Sequence, residues 1–256
     1  MSDLALTARE VGYANKIFWR NPPAVFFTFA FPLMFLVIFN LFGDEGRPTT
    51  RTDASGSTFY IPAIAAFSVI TACYTNIAIT LCFLRDRGVL KRIHGTPLPA
   101  WVYMAGRIVH AMAVGLLLVA ITVAFGAVFY DVEVPTTTMP AFIATVLVGA
   151  GTFSALGLAI TPAVPTAEAS PAVVNGTILP LLFVSDVFIP VTDPPPWLDV
   201  VTNLFPVRHL SEAMQVAFNP FTTGSGFRWE DLGIVALWGV AGAAIAARFF
   251  TWEPRR

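Results

Sequence analysis

The sequence predicts an all-α, polytopic membrane protein with six transmembrane helices. Three observations carry this reading. Of 256 residues, 56% are hydrophobic and only 12% are charged, whereas soluble domains carry about a quarter charged residues. The mean hydropathy is +0.71, and apolar runs near the length of a bilayer crossing recur along the chain. The cations are also sorted. With six crossings and both termini in the cytoplasm, eleven fall inside: Arg9, Lys16, Arg20, Arg85, Arg87, Lys91, Arg92, Arg107, Arg248, Arg255 and Arg256. Four fall outside, namely Arg47, Arg51, Arg208 and Arg228. That asymmetry sets the predicted orientation.

Residues 1–23 read as an amphipathic helix lying at the inner interface. Leu4, Val11, Ala14, Ile17 and Phe18 recur at helical spacing. Arg9, Glu10, Asn15, Lys16 and Arg20 fill much of the remainder, while Tyr13 and Trp19 suit the headgroup layer. Asn21-Pro22-Pro23 ends the helix and turns the chain into a transmembrane domain covering residues 24–256.

Its predicted spans are about 24–42, 59–84, 101–129, 139–160, 171–189 and 232–250. Pro32 is expected to kink the first. The polar stretch 43–57 should be an outer loop. The second span carries Thr71, Thr75 and Asn76 near one face, continued by Thr80. Such residues either bond neighbouring helices or line a solute path. Cys73 and Cys82 read as small core hydrophobes. In the third span, Arg107 can snorkel to the inner surface, and His110 suits packing or a headgroup contact. In the fourth, Gly149, Gly151, Ser154 and Gly157 form a small-residue face for close packing.

Between the second and third spans lies the densest run of charge, Leu84 to Pro99. It contains Arg85, Asp86, Arg87, Lys91 and Arg92, with His94 close by. Gly88 breaks it, Pro97 and Pro99 close it, and a helix of about two turns fits Val89 to Gly95. Val89, Leu90 and Ile93 give that helix an apolar edge. A knuckle with apolar and cationic faces can dock into a partner; it can also serve only as a positive-inside anchor.

After the fifth span, Pro190 to Trp197 is too proline-rich for a regular helix. Leu198 to Phe218 is too mixed in polarity to span, and Pro206 divides it. We read it as an outer, re-entrant helical hairpin between spans five and six.

The chain has no GxxxxGK[ST] run, HExxH or CxxC, and no paired-carboxylate arrangement. No catalytic residues and no metal ligands are therefore expected. A membrane enzyme would need Asp186, Arg208, His209 and Glu212 to converge at the outer face. An ion-coupled secondary transporter usually shows midplane charges or repeated halves. Neither is clear here. A non-transport membrane scaffold is a further alternative. The cations around Gly88 sit between membrane spans and are no platform for nucleic acid.

Several motifs together resemble the membrane subunit of ABC type-2 transporters, in the daunorubicin/doxorubicin-resistance branch of drug-efflux permeases. They cover nearly the whole chain. Arg20-Asn21-Pro22 before a span with Pro32-Leu33 is similar to the family's opening. Arg85-Asp86-Arg87-Gly88, Leu90-Lys91-Arg92 and Thr96-Pro97-Leu98-Pro99 resemble its first coupling loop. Phe183 to Pro190 resembles the end of its fifth span, with Asp186 where the family usually has glycine. Asn203-Leu204-Phe205-Pro206, Arg208-His209-Leu210 and Ala213-Met214 resemble its outer hairpin.

The resemblance implies a cell-membrane exporter, multi-pass, without an ATPase site of its own. A second permease subunit, identical or homologous, and two copies of a P-loop ATPase subunit would complete it. That partner, and not this chain, would bind ATP and Mg. Coupling to it would run through Arg85, Asp86, Arg87, Gly88, Leu90, Lys91, Arg92 and Ile93, and through the interfacial helix with Lys16, Trp19 and Arg20. The cargo would be a hydrophobic or amphiphilic drug, with antibiotic resistance as the consequence, or a lipid; relatives move polysaccharides or glycolipids. We place the substrate path at Phe67, Thr71, Thr75, Asn76, Phe183, Asp186 and Phe188.

Overall fold

Apolar length decides most of the architecture. The computed structural model describes residues 2–43, 56–185, 187–188 and 195–253. Among these there is no strand. The helices are α1 (Asp3–Trp19), α2 (Pro22–Gly43), α3 (Gly56–Ile70), α4 (Asn76–Asp86), α5 (Val89–His94) and α6 (Ala100–Phe129). They continue with α7 (Met139–Ile160), α8 (Ser170–Val184), α9 (Pro196–Leu204), α10 (Pro206–Phe218) and α11 (Trp229–Phe249). Five stretches are long and apolar enough to cross a membrane: 22–41, 58–86, 100–129, 139–163 and 229–249.

Two expectations meet a different geometry. The helix at the fifth predicted span, α8, has 15 residues. At about 1.5 Å per residue it covers roughly 22 Å, short of a hydrocarbon core of about 30 Å. The predicted span ran to residue 189, but the helical conformation ends at Ser185. The second span is not one regular helix either. Thr71–Thr75 forms a π turn between α3 and α4. Pro32 lies inside α2, which continues past it.

The π turn is met by α7. A Cβ on Gly157 would lie 2.8 Å from the Tyr74 carbonyl oxygen and 3.1 Å from that of Cys73. Glycine therefore lets α7 approach the widened backbone directly. Farther along α7, Thr152 Oγ1 donates to the Val235 carbonyl at 3.0 Å, fastening α11 to it. Gly151, expected on the same small-residue face, has nothing near its Cβ position. Cys73 and Cys82 are buried and form no disulfide.

Three segments gather at one end of the bundle. Helix α1 packs along the first turns of α6, with Ala14 and Phe18 buried. Helix α5 follows α4 there. After α11 the chain returns beside them: the Trp252 ring lies 5.1 Å from His94 and 6.1 Å from Tyr103. Lys91 and Glu253 pair at 3.3 Å. This is the basic end. Helices α9 and α10 lie at the opposite end, separated at Phe205 and Pro206 as the sequence suggested.

Candidate coupling face and aromatic wall

The basic knuckle is built by a left-handed glycine. Gly88 has φ +70° and ends α4, its amide donating to the Arg85 carbonyl at 2.9 Å. Its carbonyl then accepts from the Arg92 amide at 3.2 Å to start α5. Only glycine adopts that conformation without strain. The exposed surface of the knuckle is cationic: Arg87, Lys91, Arg92 and His94 face outward. Its apolar edge is turned the other way. Leu90 is fully buried in the chain's own core and Ile93 is half-buried against it. The expected apolar contact surface for a partner is thus occupied at Leu90 by this chain. A short amphipathic helix buries its larger apolar residue on the body that carries it.

Arg85 and Asp86 also reach inward. Arg85 is 2% exposed. Its Nη1 donates to the Thr161 carbonyl at 3.1 Å, and its Nη2 to Val164 at 3.0 Å and Pro165 at 3.3 Å. Asp86 Oδ1 accepts from Arg85 Nε at 3.1 Å. Asp86 Oδ2 accepts from the Ala167 amide at 2.6 Å. One fork thereby satisfies carbonyls left open where α7 ends. The two residues bind the knuckle to the loop before α8. Nothing in sequence spacing distinguishes this buried arginine from its exposed neighbours.

On α1, Lys16 and Arg20 are exposed. Trp19 is half-exposed, donates from Nε1 to Asn15 Oδ1 at 2.9 Å and stacks on Phe29 at 5.8 Å. Leu4 and Ile17, read as part of the apolar stripe, are exposed.

The aromatic residues of the expected path do converge. Phe188 lies 5.1 Å from Phe67 and 5.0 Å from Phe183. Phe35 and Phe39 of α2 stack on it at 5.3 and 5.7 Å, a contribution that the sequence reading missed. Their spacing of four along α2 was the available signal. Phe67 and Phe188 are buried, so Phe183, 51% exposed, presents the cluster to its surroundings.

The polar residues of that path divide. Thr71 Oγ1 donates to the carbonyls of Phe67 at 2.9 Å and Ser68 at 3.1 Å, within its own helix. Thr75 Oγ1 is buried with no partner among the described residues. Asn76 faces a cavity beside α1 and α6, away from α8. The link to α8 is made instead by Tyr74, whose hydroxyl meets Thr177 Oγ1 at 2.7 Å. Asp186 lies outside the described residues.

At the opposite end the ionisable groups form a closed network. Arg208 reaches Asp199 at 2.6 Å, Glu212 at 2.8 Å and Thr202 at 2.7 Å. Arg228 bonds Asp231 and reaches Glu212 at 3.3 Å. The Asp231 bond, with its charge, holds the Arg228 guanidinium above its usual range. His209 Nδ1 meets Asp231 Oδ1 at 2.7 Å, and Nε2 meets the Asn203 carbonyl at 2.8 Å. Arg208, His209 and Glu212 thus come together as a brace of α9, α10 and α11. No group of three or more potential metal ligands occurs among the described residues.

Five stretches apolar enough to cross a membrane, a cationic knuckle at one end and a braced short-helix pair at the other accompany a family match in the sequence. Residues 5–219 match the ABC-2 type transporter family. The chain belongs to that family. It is similar to the inner membrane transport permease YadH of Escherichia coli strain K12, at 26% identity over 90% of this chain and 82% of that protein. The same-named permeases of Escherichia coli O157:H7 and Shigella flexneri match at 26% identity over the same shares. The family makes this chain a multi-pass cell-membrane permease subunit of an ABC transporter, a component that associates with an ATPase subunit.

Proposed function

We propose that this ABC-2 permease subunit exports a hydrophobic or amphiphilic drug or lipid, as the daunorubicin/doxorubicin-resistance branch does. Two permease subunits, identical or homologous, would share two copies of a separate P-loop ATPase, which holds the ATP and Mg. The observation that carries the coupling half is the clasp of Arg85 and Asp86. It joins the exposed cationic knuckle to the loop before α8, so a push on Lys91 and Arg92 reaches both sides of the Tyr74–Thr177 contact. Helix α1 packs beside the same end and would share the load.

The basic end faces the cytoplasm in this reading, following the positive-inside rule. Six crossings fit the connectivity. Helix α7 ends beside Arg85 at the basic end, and α11 starts at the opposite end with Arg228 and Asp231. In this reading the chain from the start of α8 onward carries the sixth crossing between those ends. Re-entry of α10 is supported by depth. A Cβ on Gly149 would meet Leu210 Cδ1 at 2.5 Å. Gly149 lies ten residues past Met139, a depth of about 15 Å along α7.

The cargo reading rests on the aromatic cluster around Phe188, with Thr71 and Thr75 nearby in sequence and no fixed charge among them. Asp186 would stand near the outer mouth and favour amine-bearing amphiphiles. Asp186→Asn, at matched protein level, tests this in cells. Resistance to cationic drugs should fall more than resistance to neutral ones. Equal loss for both assigns Asp186 a structural part, and export of a polysaccharide or glycolipid instead would replace the cargo class.

A further inference from the structure

A cavity of about 110 Å³ lies at the basic end between α1, α4 and α6. Its polar lining includes Asn76, Thr80, Arg107 and His110, and Ile17 and Phe18 contribute apolar wall. No carboxylate lines it. Arg107 Nε donates to the Tyr103 hydroxyl at 3.2 Å, and its guanidinium lies 5.2 Å from the centre of that ring. Its terminal nitrogens have no partner among the described residues. Asn76 accepts from Thr80 Oγ1 through its amide oxygen at 3.1 Å, which leaves its amide nitrogen open. His110 is 8% exposed, and neither ring nitrogen has a hydrogen-bond partner among the described residues. Phe18 meets the His110 ring edge-on at 5.7 Å.

Arg107 is partly exposed at this cavity, and a guanidinium with free N–H groups recognises an oxyanion by charge-assisted hydrogen bonds. This cavity offers donors from two helices and no anionic acceptor of its own. Its ligand should therefore bring the negative charge and several oxygens. The space corresponds to about four waters at roughly 30 Å³ each, which suits one tetrahedral oxyanion and excludes a whole amphiphile. Ile17 lines the cavity and is half-exposed, so its side chain gives the mouth an apolar edge.

We infer that this cavity binds the phosphate of a membrane phospholipid headgroup at the basic end, with the acyl chains lying outside along Ile17. The site belongs to a single chain and is independent of the cargo proposed above. Its failure would leave that reading standing.

The test uses the full chain, purified in a neutral detergent, with three probes: dioctanoyl-phosphatidylglycerol, dioctanoylglycerol and inorganic phosphate. Calorimetric titration should show the phospholipid binding at least about tenfold more tightly than the glycerol lipid, the order expected for charge-assisted hydrogen bonds. Arg107→Gln should weaken phospholipid binding by about tenfold. Asn76→Ala, which alters the opposite wall, should weaken it severalfold and serves if Arg107→Gln does not fold. Arg248→Gln removes an exposed cation elsewhere on the basic end and should leave the affinity unchanged. Wild-type affinity in both cavity variants, or equal loss in Arg248→Gln, overturns the site. Inorganic phosphate binding as tightly as the phospholipid assigns the cavity to the free ion and overturns the lipid.

Discussion

Arg85 Nη2 donates to the Val164 carbonyl at 3.0 Å, joining the end of α4 to the loop before α8, 79 residues away in sequence. The guanidinium has to stay in place because three carbonyls and Asp86 depend on it. Arg85→Ala should therefore cost about 2–5 kcal/mol, through unpaired buried acceptors and an unneutralised carboxylate. Arg85→Lys should recover only part of this, since an ammonium cannot reproduce the fork. The thermal midpoint in detergent measures both. An unchanged midpoint for Arg85→Ala would mean that the clasp holds nothing.

The knuckle separates a folding surface from a contact surface. Leu90→Asp should abolish folded protein, because a carboxylate at a fully buried position costs at least about 3 kcal/mol. The double change Lys91→Glu and Arg92→Glu affects exposed side chains only, and the one ion pair they make among the described residues, Lys91 to Glu253, is exposed on both sides. It should leave the midpoint within a degree or two and abolish stimulation of the partner ATPase. Full stimulation in that double variant would reduce the knuckle to a positive-inside anchor.

Gly88 tests the turn. A valine there must adopt φ near +70°, at a cost of about 1–2 kcal/mol. Space is not the obstacle, since nothing lies within 4 Å of its Cβ position. Gly88→Asn should thus retain coupling that Gly88→Val loses. ATPase stimulation at matched protein level compares them, and equal values would argue that the turn conformation is not needed.

Gly157 tests the packing of α7 on the π turn. Gly157→Val places atoms against backbone, which cannot swing away as a side chain would, and should lower stability by about 1–3 kcal/mol. Gly151→Ala meets open space and should be tolerated. Thermal midpoints of the two variants should differ by several degrees; a tie would put α7 elsewhere.

Much of this was legible in the sequence because membranes impose length. The four long runs that became α2, α3–α4, α6 and α7 were readable from hydropathy alone, as was α11. The Gly88 break and the Pro206 division were readable because those residues act on their own backbone. What escaped depends on contacts distant in sequence. Arg85 looks like Arg87 until Thr161 and Val164 arrive beside it. The π turn at Thr71–Thr75 is a one-residue expansion that leaves composition unchanged. Phe67, Phe183 and Phe188 lie together, whereas Asn76 faces the cavity beside α1 and α6; a π turn rotates every residue after it relative to regular α spacing. Apart from Glu212, four residues on in α10, the partners of Arg208 and His209 come from α9 and α11, which no local pattern in α10 specifies.

In the mechanism proposed above, this permease works only through a separate ATPase bound at the basic end. The most direct measurement is transport by proteoliposomes containing the chain purified from its native membranes, with and without the co-purifying ATPase. ATP-dependent transport is expected from the complex, none from the chain alone, and none when Lys91→Glu and Arg92→Glu are combined. Transport by the isolated chain driven by an ion gradient, without ATP, would contradict it.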